Sequence, residues 1–396
     1  MRVLIVATNT TPPGLSDEVR AGRHQRVDYL ELAQRFGTMY HDYNALRSPG
    51  LLRWFEDLSR FDIHQALAVA RLAKRGGYDA VVSLSERAGI PLALLLDRRI
   101  CHMVIFHHGM SRHKLRLIRA LKLHRRWNVI AAISRAEAEG MRVALGLDDQ
   151  RVVALHTPVD VDFYRPSQPS TGREAFIQSL GLSHRDYPTL IRAMRRLPHI
   201  PCHLRVGSTW VQRCGRHKHE ALPPNVRLQP FVPPSVLRRC YEESRFIIVP
   251  IKASTQWSAG CTSVQAAQAM GKPVIATRRP GLSEYLVDGE TGILVEPGDD
   301  RGMAEAIAML WNDPQRVVCM GRNAREWIAS RHSLDQWLDR VETLVKEAVY
   351  STPQLQTNGV FLASVCADVS IAGIENIALF HAVGETLSSL SRVIVA

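Results

Sequence analysis

No C-x-x-C pair occurs in this sequence. Its seven cysteines, Cys101, Cys202, Cys214, Cys240, Cys261, Cys319 and Cys366, are scattered and odd in number, with no histidine nearby at zinc-finger spacing. That argues against structural zinc and for a reducing compartment. Long apolar runs are also lacking: no uncharged stretch stays apolar over the ~18 residues needed to cross a bilayer. The start, MRVLIVATNTTPPG, has only a short apolar run before Thr and Pro, below the about 7–15 residues of a signal-peptide core. The expectation is a cytoplasmic protein, with any membrane contact peripheral, at the inner face. Gly (25) and Pro (21) follow no period and 46% of residues are hydrophobic, which excludes collagen-like and disordered chains. Negative charge is in short supply, 38 Asp and Glu against 50 Lys and Arg, a formal +12. Such an excess favours an anionic partner: nucleic acid, an acidic membrane surface or a phosphorylated ligand.

At 396 residues the chain is long enough for two domains, at roughly 100–200 residues each. Short β-branched runs alternate with helix-patterned segments: VLIVA at 3–7, AVVSL at 80–84, HMVIF at 102–106 and VIAAI at 129–133. A second series follows, AFIQS at 175–179, HLRV at 203–206, FIIVP at 246–250, PVIAT at 273–277 and GILV at 292–295. Alternation of this kind predicts an α/β chain of two doubly wound, Rossmann-like parallel-sheet domains. The Pro- and Ser-rich FYRPSQPSTGRE places the linker near 164–172. The expected division is 1–165, 166–330, a helix at 331–350 returning to the first domain, and an atypical tail at 351–396 that carries no functional reading.

The segment SAGCTSVQAAQAMGKPVIATRRPGLSEYLVDGETGILVEP at 258–297 carries the most chemistry. Backbone N–H groups of residues 260–263, at a helix start with little side-chain bulk, suit a phosphate or diphosphate. The same small residues also serve tight helix–sheet packing, and spacing alone leaves both readings open.

AMGKPVIAT at 269–277 and GLSEYLVDGETGILVEPGD at 281–299 closely resemble the C-terminal signature of the retaining family 4 glycosyltransferases, of GT-B fold (glycosyl transferases group 1). TPVDVDFYRP at 157–166, SLGLSHRDYPTLIRAM at 179–194 and NVIAAISRAEAEGM at 128–141 resemble three further family segments, so the likeness covers about residues 1–350. It implies two domains facing across a cleft, a nucleoside-diphosphate-sugar donor as co-substrate, no cofactor or metal, and a glycan or lipid-linked acceptor on the N-terminal side. Gly14, Gly181, Gly260, Cys261, Thr262, Ser263 and Gln268 fall at donor-binding positions. The sequence departs from the family where two glutamates stand eight positions apart: Gly260 and Gln268 replace them. Leu182 replaces an arginine, leaving Arg185 as the nearest cation to neutralise the leaving diphosphate. His108, in FHHGMSRHK at 106–114, resembles a strand-end histidine that meets the sugar or its acceptor.

The run SRHKLRLIRALKLHRRW at 111–127 interleaves seven cations with Leu115, Ile118, Leu121 and Leu123, so a basic amphipathic helix over 112–126 against an anionic membrane is expected. A solvated helix face is the plain alternative. Nucleic acid fits less well, since no aromatic interleaving or binding motif accompanies the charge. Two readings therefore stand beside the transferase: a catalytically weakened partner subunit that keeps the fold, and, on charge alone, a nucleic-acid-binding protein.

Overall fold

The computed structural model describes residues 1–45, 56, 60–107, 111–167, 175–181, 184–206, 222–253 and 257–351. His108, Leu182 and the tail beyond Ser351 lie outside them. Two six-stranded, all-parallel sheets organise the chain. The first holds β1 (Val3–Val6), β2 (Tyr40–His41), β3 (Ala80–Ser83), β4 (Cys101–Phe106), β5 (Val129–Ala132) and β6 (Val152–Ala154), in the spatial order β2-β1-β3-β4-β5-β6. The second holds β7 (Ile177–Leu180), β8 (Cys202–Arg205), β9 (Val226–Gln229), β10 (Ile247–Val249), β11 (Val274–Thr277) and β12 (Gly292–Val295), in the order β12-β11-β10-β7-β8-β9.

Burial on both faces explains why these strands read as continuous apolar runs. In β1, Val3 and Ile5 enter one core with the helices Asp28–Arg35 and Leu334–Ser351, while Leu4 and Val6 enter another with the helix Ile63–Gly76. The second sheet repeats this: Ile248 and Ile275 pack with Leu190 and Ile307, and Val249 and Val274 with Val264 and Ala267. The helix Leu334–Ser351 thus covers the first sheet through Trp337, Val341 and Leu344. Among the described residues the chain crosses between domains twice, and the two crossings pair: Val159 N–H donates to His332 O at 2.9 Å, and Leu334 N–H to Val159 O at 2.9 Å.

Three short strands, β2, β6 and β9, were not evident from the sequence. The basic segment differs more. Its helix ends at Ala120, Lys122 takes a left-handed φ of 51°, and a short 3-10 turn follows over Leu123–Arg125. Ile118 and Leu123 are buried, and Leu115 and Leu121 pack against the same core. The expected membrane-facing leucines therefore belong to the domain interior. Arg116, Arg119, Lys122 and Arg125 are exposed, while Lys114 pairs with the buried Glu86 at 2.9 Å.

Candidate functional site

In the second sheet β7 lies between β8 and β10, so connections leave it in opposite directions. A crevice opens outside the carboxyl ends of such strands, where open α/β sheets take their ligands. Gly181 follows β7 directly, and Arg185 forms an antiparallel bridge with Ile251, just beyond β10. The helix Cys261–Ala269 starts at the same edge, capped by Gly260 at a left-handed φ of 93°.

Arg185 joins these pieces. Its Nε donates to Leu180 O at 2.9 Å and its Nη2 to Ser263 Oγ at 2.8 Å, with the residue only 7% exposed. Two glycines make room for the guanidinium. A side chain at Gly181, whose φ is 122°, would overlap the Arg185 guanidinium, and a Cβ at Gly260 would lie 3.3 Å from its Nη1. Burial lowers the Arg185 pKa, against the opposing pull of Tyr187, Tyr241 and Cys261; from so high a starting value the group stays cationic.

The helix start differs from expectation in two respects. Cys261 N–H already donates to Ser258 O at 3.2 Å and Ser263 N–H to Gly260 O at 3.0 Å, so these two donors serve the turn itself. Cys261 is buried, and its Sγ receives the Thr157 hydroxyl at 3.4 Å. It packs the domain interface, and the outward position of the first turn belongs to exposed Thr262. Along the helix, Gln268 is fully buried, its Nε2 donating to Thr291 Oγ1 at 3.3 Å while its Oε1 has no partner. A buried acceptor without a donor is costly, and a ligand hydroxyl would satisfy it.

In the first domain Gly14 caps the short helix Leu15–Arg20 at a left-handed φ of 76°, with open space around its Cα. His107, at the end of β4, donates its N–H to Glu86 Oε2 at 3.2 Å and opposes the rise that burial produces in Asp28. The site residues placed together are thus Gly181, Arg185, Gly260, Thr262 and Ser263, with Gln268 further along the same helix.

Several participants escaped the sequence reading. Lys252, exposed just past β10, brings a second cation to this edge; a lysine three residues after a buried strand is its only sequence signal. Glu284 accepts from Arg135 N–H at 2.7 Å and Ala136 N–H at 2.8 Å, at the start of the helix Arg135–Leu145, and meets His156 Nε2 at 2.9 Å. Burial would raise its pKa, but these donors together hold it below the usual carboxylate value. Tyr285 OH donates to Ile133 O at 2.6 Å, and Gln265 bonds Thr157. These contacts clamp the second domain onto the carboxyl edge of the first.

Glu137 lies in that clamp beside Ser134 and Ser258. Burial lifts its pKa from an ordinary 4.5 to about 7, against the lowering effect of the neighbouring Ser134 and Ser258. A folded-state pKa raised in this way contributes stability that is complete below pH 4.5 and lost as pH climbs through 7. The loss amounts to about 3 kcal/mol at most. Glu137→Gln should flatten this stretch of the curve; denaturant melts at pH 5 and pH 8 that show the wild-type slope in the variant would discount Glu137.

Residues 5–163 match the family described as Glycosyltransferase Family 4, and residues 176–313 match Glycosyl transferases group 1. A D-inositol 3-phosphate glycosyltransferase of Corynebacterium glutamicum is 33% identical over 178 residues, 44% of this chain and 40% of that protein. D-inositol 3-phosphate glycosyltransferase 1 of Catenulispora acidiphila is 27% identical over 255 residues, 56% of this chain and 59% of that protein. The chain thus spans 40–59% of the length of these curated relatives. Among solved structures, a glycosyltransferase from Rickettsia africae aligns with a TM-score of 0.66 at 16% identity, covering 88% of this chain and 99% of that one. Anabaena Alr3699/HepE in complex with UDP-glucose aligns with a TM-score of 0.64 at 17% identity, covering 88% of this chain and 100% of that one. At such identities these structures show the fold.

Proposed function

Since the chain belongs to the family 4 (group 1) glycosyltransferases, with their GT-B fold, we propose that it transfers a sugar from a nucleoside-diphosphate sugar to an acceptor hydroxyl, with retention of configuration. The observation that carries this reading is the buried Arg185 guanidinium held between Gly181, Gly260 and Ser263 at the sheet's switch point. The donor's C1–O bond to the diphosphate breaks, a bond from C1 to the acceptor oxygen forms, and the hydroxyl proton leaves with the diphosphate. Charge grows on that leaving group, so a preorganised cation and a helix N-terminus favour the transition state over the ground state. The reading assigns this role to Arg185 and the helix rather than to a metal, and gives the unpartnered Gln268 Oε1 to a ribose hydroxyl.

The D-inositol 3-phosphate for which the relatives are named supports a hydroxylated acceptor carrying phosphate, and the solved UDP-glucose complex supports a uridine donor. On the acceptor side we keep His108 and a glycan or lipid-linked acceptor within the proposal. An anionic membrane contact now rests on the exposed cations Arg116, Arg119, Lys122 and Arg125 alone.

The reading is tested with UDP-, GDP- and ADP-sugars, by following slow donor hydrolysis alongside calorimetric nucleotide binding. Binding without turnover for every donor would favour the weakened partner subunit, which the missing side chain at Gly260 motivates. Thr262→Glu separates an anion site from a packing motif. An acid in a helix's first turn stabilises the helix, so the unliganded protein should melt no lower, while nucleoside diphosphate affinity falls about tenfold through like-charge repulsion. Unchanged affinity would return the 260–263 turn to packing alone.

A further inference from the structure

A second pocket, unrelated to the crevice just described, opens at the opposite edge of the first sheet. Its volume is about 770 Å³, and its lining includes Ile100, His102 and Arg151, at the amino ends of β4 and β6. All strands of this sheet run parallel, and the cleft-side residues Glu86, His107 and Ser134 stand at the carboxyl ends. The six residues of β4 put nearly 20 Å between the two edges, at about 3.3 Å per residue.

The lining is strongly cationic. Arg98, Lys122, Arg125, Arg126 and Arg151 surround it, against the single carboxylate of Asp97. Among the described residues none of the five cations forms an ion pair with a carboxylate, although this chain pairs many other surface arginines, such as Arg26, Arg35 and Arg278, with acids. Two of the five are fixed by the backbone. Arg126 donates from Nε to Ala93 O at 2.9 Å and from Nη2 to Leu96 O at 2.7 Å, and Arg151 donates from Nη2 to Trp127 O at 2.6 Å and His124 O at 3.1 Å. The other three, Arg98, Lys122 and Arg125, are exposed. Burial lowers the Arg126 pKa and the neighbouring Arg98 lowers it further, with Asp97 pulling the other way. The deepest polar group is His102, 1% exposed, bonded through Nε2 to Ser83 Oγ at 2.9 Å, with no partner at Nδ1. Leu94, Leu96 and Leu121 supply an apolar wall beside the cations.

We propose that this pocket binds a phosphate ester, its anion held by Arg98, Lys122 and Arg125 over the fixed Arg126 and Arg151, and its substituent lying along the leucine wall. Arginine suits this ligand because its planar donors match phosphate oxygens. The strand length separates this site from any donor in the crevice, so its ligand acts as an effector or an anchor rather than as a reactant. The phosphate can come from a soluble ester or from a lipid headgroup.

Both sources are tested on the full chain with the double variant Arg98→Ala/Arg125→Ala, whose side chains are exposed and make no described ion pair. Inorganic pyrophosphate is titrated calorimetrically with UDP present at saturation, and sedimentation is measured with vesicles of phosphatidylcholine with or without phosphatidylglycerol. Wild type should bind pyrophosphate or the anionic vesicles at low salt, and the double variant at least tenfold more weakly with an unchanged thermal melt. Dependence on the two arginines in the pyrophosphate arm alone points to a soluble ester, and in the vesicle arm alone to a headgroup. Equal binding by both proteins, or binding of neither probe by wild type, overturns the proposal. UDP affinity is read separately, so failure of the donor site leaves this result standing.

Discussion

Arg185→Ala is expected to slow donor turnover by about two to three orders of magnitude, the scale on which a preorganised transition-state donor acts, while weakening nucleoside diphosphate binding far less. The asymmetry follows from where the charge develops. The diphosphate gains negative charge as it departs, so a cation beside it is worth more in the transition state than in the bound ground state. Arg185 is also tied into the fold through Leu180 O and Ser263 Oγ, and its loss leaves that carbonyl without its guanidinium donor. Arg185→Lys separates the two roles, because it keeps a charge near the crevice but lacks the fork that reaches both oxygens. A lysine variant that melts like wild type and regains part of the rate places the residue beside the leaving group. Equal losses in affinity and rate, tracking a drop in melting temperature across both variants, would make Arg185 a structural arginine.

How much of this was legible beforehand depends on what kind of information each element carries. Central strands such as VIAT at 274–277 and VLIV at 3–6 are buried on both faces, so composition alone marks them. The edge strands β2 and β9 are short and partly exposed, and carry no comparable signal. Gly181 and Gly260 were found through resemblance, but their reason, room for one guanidinium, appears only when residues 181, 185 and 260 meet. The break after Ala120 hides in a leucine-rich helical pattern, because the left-handed Lys122 carries no signal in its residue type, and the burial of Leu123 and Trp127 beyond it appears only in the fold. The domain clamp was the least readable part: Glu284 and Arg135 are 149 residues apart, and neither stands out from ordinary surface charge. The pocket at the far sheet edge was half visible. Its cations were seen as a run along one helix, whereas Arg98 and Arg151 reach it from other loops.

The two departures from the family's glutamate pair should behave differently when reversed. Gly260→Glu is expected to be the most damaging substitution in the crevice. The position takes a left-handed φ of 93°, and a Cβ there would lie 2.8 Å from Val249 Cγ1 and 2.9 Å from Ile251 Cδ1, both buried. Backbone strain and overpacking together cost roughly 2–4 kcal/mol, and the shift needed to relieve them pushes on the Arg185 guanidinium, 3.3 Å away. Gly260→Ala should already show most of this loss, since the first carbon causes it. Gln268→Glu meets no steric obstacle, because the new side chain matches the old one in shape, but it loses the Nε2–H bond to Thr291 and buries a carboxylate, so the unliganded variant should also melt lower. In return the acceptor that has no partner becomes a charged acceptor for a ribose hydroxyl. Thermal melts with and without UDP distinguish the two cases: both Gly260 variants should melt well below wild type and respond little to nucleotide, while Gln268→Glu should retain its nucleotide-dependent rise. If Gly260→Glu instead melted like wild type and hydrolysed donors faster, this backbone could carry the family's glutamate after all, and the glycine would mark a weakened catalyst rather than a differently built crevice.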